Sequence, residues 1–190
     1  MGRYENGCLI KGNLTRAEAC GYSLKQITDI YLANYKEVDS ALKESATFDG
    51  WEITAVTGTN KWYHIEPAKD STSYNDDLVI GGNGSKYRTH SMTFSFNGQY
   101  DAEMAEALDM LSLGRFCAIL HTSDGNYIMM GRLTGLEATA ASSLSEAAAD
   151  GQNGITVTLE CNTTEPVLPL GEGVFAKDVK DKVFGATAEG

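Results

Sequence analysis

The chain has 190 residues, with 15 Lys and Arg against 26 Asp and Glu, a formal charge of −11. Apolar residues make up 42 %, charged residues 22 % and aromatic residues 9 %, the balance of a globular chain long enough to bury a core without a metal or disulfide staple. So acidic a chain is poorly suited to gripping phosphate backbones, whose affinity rests on Lys and Arg; no apolar run reaches the ~18 residues of a membrane-spanning helix, and an N-terminus without an apolar signal segment predicts a chain that is not exported.

Lys25 to Val38 carries Ile27, Ile30, Tyr31, Leu32, Tyr35 and Val38 in a mixed pattern. Its β-branched and aromatic residues favour a strand, with a helix as the alternative. Trp51–Val56 and Lys61–Glu66 read as a strand pair around Gly58-Thr59-Asn60. Residues 70–88 are polar, with Asp76, Asp77 and the turn Gly81-Gly82-Asn83-Gly84. They predict a long hairpin projecting from the body, with Leu78, Val79 and Ile80 as its one sticky patch.

Strict alternation follows in Ser91–Phe96, which puts Met92, Phe94 and Phe96 on one face and hydroxyls on the other, as in a half-buried antiparallel strand. A helix is expected next. Asp101 can cap it, Glu103 suits the positive end of its dipole, and Tyr100 can staple onto Ala105. Met104, Ala107, Leu108 and Leu111 form its apolar stripe, and Gly114 is expected to end it in a left-handed cap. Phe116–His121 and Tyr127–Arg132 form a hairpin around Asp124-Gly125-Asn126. Ala141–Gly154 reads as a weak helix or loose loop. Gly154–Cys161 alternates again, with Ile155, Val157, Leu159 and Cys161 inward. Pro166 and Pro169 bound a last strand. Gly171–Gly190, rich in glycine and alternating charge, reads as an arm that orders against a neighbour. The expected organisation is one β-rich domain over residues 1–170, with one helix, and a C-terminal arm over 171–190.

Little in this chain points to chemistry. Cys8, Cys20, Cys117 and Cys161 make no CxxC pair and read as free structural thiols. Gly82-Asn83-Gly84-Ser85-Lys86 lacks the spacing of a phosphate loop, and no G-x-S-x-G is present. His64 and Glu66 share a strand face and could donate to a metal if His90 or His121 supplied a third ligand; an ordinary surface or inter-subunit pair is the simpler reading. No catalytic, cofactor or metal site is therefore expected, and the protein is read as a non-enzyme that works through its surface. The candidate subunit-contact residues are Asp76, Asp77, Leu78, Val79 and Ile80. Met104, Leu108 and Leu111 are the candidate helix core.

In order, Ile30–Tyr35, Trp51–Thr54, Lys61–Pro67, Ser71–Tyr74, the long hairpin, Met92–Phe96, the helix, Gly125–Gly131, Gly135–Glu137 and Gly154–Leu159 make a series of structural motifs. This series resembles the tail tube (major tail) proteins of tailed bacteriophages, over about residues 24–166. The resemblance implies a mainly β fold, an antiparallel β-sandwich or rolled barrel flanked by one α-helix. It also implies a structural virion protein that forms rings, commonly hexameric, stacked into the channel for DNA ejection. Its partners would be copies of itself, other tail proteins and genomic DNA passing without specific binding, with no membrane anchor and no cofactor. Its place would be the virion tail, assembled in the host bacterial cytoplasm. The alternatives are another tail or head–tail connector component of related fold, or a small ligand-binding or enzymatic β-barrel.

Overall fold

The computed structural model describes residues 26–38, 48–49, 51–56, 61–97, 102–145 and 153–184. Its first half contains β1 (Ile27–Asn34), β2 (Phe48–Asp49), β3 (Glu52–Ile53), β4 (Tyr63–Ile65), β5 (Ser73–Ile80), β6 (Lys86–Phe96) and helix α1 (Ala102–Leu113). Its second half contains β7 (Arg115–Thr122), β8 (Tyr127–Met130), β9 (Leu136–Ser145), β10 (Asn153–Thr163), β11 (Leu168–Pro169) and the short helix α2 (Val174–Asp178). None of the described helices is long and apolar enough to cross a membrane.

Nine strands join in one antiparallel sheet of order β11-β8-β7-β9-β10-β6-β5, with β1 also on β7 and β4 on β1. The sheet is open, since no described pairing returns β5 to β4 or β11. The centre is β7, whose run Phe116–Leu120 is apolar on both faces because both faces are covered. Phe116, Ala118 and Leu120 join Ile30, Leu32, Met92, Phe94, Ile155, Val157, Leu159 and Cys161 in one core cluster. Cys117 and Ile119, on the opposite face, join Ile53, Val56, Trp62, Met129 and Leu168 in a second. The period-two expectation for Met92 and Phe94, and for Ile155 through Cys161, thus matches the buried positions.

Several expectations need correction. Trp51–Val56 and Lys61–Glu66 do not pair with each other: β3 pairs with β2, and β4 pairs with β1. Val56 N–H instead donates to Asp178 Oδ2 at 2.8 Å. Of Ala141–Gly154, expected as a weak helix or loose loop, residues 141–145 and 153–154 are strand, because β9 runs to Ser145 along the edge of β10 from Leu144↔Gly154 to Glu137↔Glu160; residues 146–152 lie outside the described residues. A long hydrogen-bonding edge overrides the weak preference of Ala and Ser.

The chain also has a second helix. It lies in the segment expected as an arm, and residues 174–184 of that segment pack on the chain's own body. Val174, Phe175 and Val179 are buried in the second cluster. Beyond them, Trp62 N–H donates to the Lys182 carbonyl at 2.9 Å, and Phe184 N–H to the Trp62 carbonyl at 2.7 Å. Residues 185–190 lie outside the described residues, as do Cys8, Cys20, Tyr100, Asp101 and the turn Gly58-Thr59-Asn60.

Helix α1 forms where it is expected, and three of its four stripe residues turn to the core, while Ala107 is exposed. Leu111 is buried at 9 % exposure, while Met104 and Leu108 are half-buried against the first cluster. Gly114 does not adopt the left-handed conformation expected of it. Its use is clearance: a Cβ there would lie 2.2 Å from Phe116 Cζ and 2.7 Å from the Met110 carbonyl oxygen. Leu111→Ala is expected to cost about 2–3 kcal/mol, at the low end for buried leucine because the site borders solvent. Leu108→Ala should cost clearly less. Urea denaturation of the two variants checks the order, and a larger loss at Leu108 would contradict this packing.

Candidate functional site

The predicted hairpin is present. β5 and β6 pair from Ser73↔Thr93 to Ile80↔Lys86, and residues 81–85 close the turn. Gly84 sits at φ 81°, and Gly84 N–H donates to the Gly81 carbonyl at 2.8 Å. Only Gly tolerates this backbone without strain. β5 is the last strand on the path, so its far edge has no strand partner in the described sheet.

The five candidate contact residues divide. Leu78 and Ile80 are 57 % and 63 % exposed, Asp77 is exposed and Val79 is half-buried. Asp76 turns back into its own chain. Its Oδ1 accepts from Arg88 Nε at 2.6 Å and its Oδ2 from Val167 N–H at 3.1 Å. Its charge anchors the base of the hairpin and is not offered to a partner.

Behind Asp76 lies a buried polar network that the sequence reading did not find. His90 is buried, with Nε2 2.9 Å from the Glu165 carbonyl and 3.6 Å from Asp76 Oδ1. Its Nδ1 has no hydrogen-bond partner. This assigns a neutral ring that donates from Nε2. Burial lowers the His90 pKa from its ordinary 6.5, outweighing the opposing pull of Asp76. Burial alone would raise Asp76, but hydrogen bonds from Arg88 and Val167 outweigh it and hold the carboxyl below its ordinary 3.8.

Both shifts make the fold acid-sensitive, in different windows. Between the ordinary histidine value and the lower folded one, the unfolded chain binds a proton that folded His90 refuses. Stability is therefore full above pH ~6.5 and falls below it. Asp76 contributes stability above pH ~4 that disappears as pH drops through its folded value. Urea midpoints measured from pH 8 to pH 3 should show two successive declines, and His90→Gln should remove the first. Persistence of that first decline in the variant would assign it to another group.

A second cluster lies on the opposite side of the molecule's centre strand, where β4, β1 and β7 run side by side. Asp29 Oδ1 is 2.8 Å from His64 Nε2, and Asp29 Oδ2 is 3.0 Å from His121 Nδ1. Thr28 Oγ1 lies 3.1 Å from the same His121 nitrogen. A register irregularity between Ile27 and Asp29 interrupts the β1–β7 ladder here, and such a bulge re-aims side chains. Burial raises the Asp29 pKa, but hydrogen bonds from His121, Thr28 and His64 outweigh it and leave the carboxyl below its ordinary 3.8.

The two imidazoles are braced by rings. His64 stacks on Tyr31 at 4.9 Å, His121 on Tyr127 at 4.4 Å, and both tyrosines contact Phe175 of α2. Burial, with the negative charges of Asp29 and Glu66 adding to it, pushes the Tyr31 hydroxyl up to about 12. That hydroxyl stays a proton donor. Of the two third ligands considered for His64 and Glu66, His90 is engaged at the hairpin base by Glu165 and Asp76, and His121 meets Asp29 and Thr28. The carboxylate that joins the pair is Asp29.

Cys117 and Cys161 are buried and not joined in a disulfide, and burial raises the Cys161 thiol, which keeps it protonated. Comparison with protein-family models, curated proteins and solved structures finds no significant match for this chain.

Proposed function

We propose that the chain is a structural subunit of the phage tail-tube type, assembling with copies of itself into stacked rings. The observation that carries this reading is the free edge of β5, an eight-residue strand with Leu78 and Ile80 standing in water beside it. A long unpaired edge next to exposed apolar side chains is a template for a strand or surface of another copy. In this reading the sheet is the rolled body of the subunit. Both of its halves feed one cluster, with β1 and β7 on one side and β6 and β10 on the other.

The polar faces of β6 and β10 suit a channel wall. Thr93 and Thr158 hydroxyls meet at 3.0 Å, Ser95 and Thr156 at 2.7 Å, and Thr89 donates to Asn162 Oδ1 at 2.8 Å. Alternation adds Ser91 and Glu160 to this face and keeps Lys86 and Arg88 off it. Such a wall offers DNA hydroxyls and a carboxylate and no cation to hold it, so the polymer can slide. Under this reading the protein belongs to the virion tail, is assembled in the host bacterial cytoplasm, and meets other tail proteins at the ends of the tube.

Negative-stain microscopy and particle-mass measurement on the purified protein, with and without the tail-tip complex as initiator, test the proposal. Rings or tubes of uniform diameter are expected. Monomers alone at high concentration and physiological salt, even with initiator, would overturn it.

A further inference from the structure

We propose that Asp29, His64 and Glu66 form a binding site for a divalent first-row transition-metal cation such as Zn2+. The inference is independent of how the subunit assembles. One ligand atom from each of the three residues lies within 4.8 Å of the others, close enough for a single ion to draw them in at Zn–N and Zn–O distances of about 2.0–2.2 Å.

The placement follows from the sheet. β1 and β4 pair antiparallel, with Tyr31 opposite His64 and Ile30 opposite Ile65. One further step of that register sets Glu66 across from Asp29. Two carboxylates directly opposite on neighbouring strands repel, and a cation between them converts that repulsion into attraction. His64, on the same face, contributes a nitrogen. An imidazole with two carboxylates suits Zn2+ or its neighbours in the first row better than Ca2+ or Mg2+, which prefer all-oxygen shells.

The surroundings hold these ligands in place. His121 Nδ1 and Thr28 Oγ1 converge on the far side of Asp29, so one carboxylate oxygen is tied back while the other faces His64. Tyr31 stacks beneath the His64 ring and fixes its plane. Partners of this kind orient metal ligands and tune their affinity. An ion can enter, since His64 and Glu66 are exposed and also line a cleft of about 440 Å3 bordered by Phe96, Glu103, Met104 and Leu111. Three protein ligands leave one tetrahedral position for water. Bound there, the ion would clip β4 to β1.

Calorimetric titration of the full chain with Zn2+ at pH 7.5, in a buffer that does not bind zinc, tests the site. One ion per chain and a rise in melting temperature on loading are expected. His64→Ala and Glu66→Gln should each weaken binding by more than about 100-fold. His121→Ala, which leaves all three ligands, should weaken it by about 10–100-fold. Circular dichroism of the variants separates lost ligation from lost fold, and Asp29→Asn provides a second variant of nearly unchanged shape. Absence of saturable binding in the wild type overturns the proposal. So does binding that survives His64→Ala and Glu66→Gln unchanged, which would place the ion on the cysteine thiols or elsewhere.

Discussion

Glu165→Leu is expected to cost about 3–5 kcal/mol, although the residue lies in a loop outside every strand and helix. Its carboxylate takes a two-pronged grip from Arg132, with Nε to Oε1 at 2.9 Å and the second nitrogen to Oε2 at 2.5 Å. The two side chains are only 2 % and 6 % exposed. A guanidinium cannot shed its proton to escape burial, so removing the carboxylate leaves a full charge inside the protein. The Glu165 carbonyl also accepts from His90, and the neighbouring Val167 N–H binds Asp76. The loss should therefore reach the base of the hairpin as well. Replacing both partners, Arg132→Met with Glu165→Leu, should restore stability relative to the single variant, because no charge is then stranded. Urea denaturation of the single and double variants measures both effects. A loss below about 1 kcal/mol for Glu165→Leu would mean that water reaches Arg132 and the pair is not truly buried.

What could be read from the residues alone was whatever one segment decides by itself. Met92-Thr93-Phe94 alternates because a sheet with one covered face demands it, and Asp124-Gly125-Asn126 turns because Gly125 reaches φ 84° without strain. The α1 stripe likewise follows from its own spacing. The misreadings fell where the partner decides. Ala141–Ser145, rich in Ala and Ser, has little strand preference of its own and becomes a strand because β10 offers it an edge. Val174, Phe175 and Val179 sit among glycines and lysines, so their burial under the sheet was invisible in composition.

The Asp29 cluster was half visible. His64 and Glu66 were paired correctly by period two, but Asp29 and His121 stand 35 and 57 residues from His64, on other strands. The sequence signal for the rest is Asp29 itself: a carboxylate inside a mostly apolar strand, Ile27-Thr28-Asp29-Ile30, needs a partner wherever that strand is half-buried.

Leu78→Glu combined with Ile80→Glu is expected to abolish assembly while leaving the monomer folded. Leu78 faces Arg88 across the hairpin and Ile80 faces Lys86, so each new carboxylate gains a cation directly opposite, a pairing that supports a hairpin. Both positions are largely exposed, and stability should stay within about 0.5 kcal/mol of wild type. At an interface the arithmetic reverses. Burying the two apolar side chains contributes about 3–6 kcal/mol per contact, or roughly 10²–10⁴ in association at 1.4 kcal/mol per tenfold, and two buried carboxylates would oppose contact further. Shortening the hairpin is an independent variant. Replacing Val79–Tyr87 with Asn-Gly joins Leu78 to Arg88, which already face each other, and spares the bonds from Asp76 to Arg88 and Val167. A cut that began at Asp76 would remove that anchor and confuse folding with assembly. Analytical ultracentrifugation and microscopy should find both variants folded and monomeric under the conditions in which rings are expected of the wild type. Normal tubes from either variant would mean that the β5 edge is not an assembly surface and that Leu78 and Ile80 are bystanders.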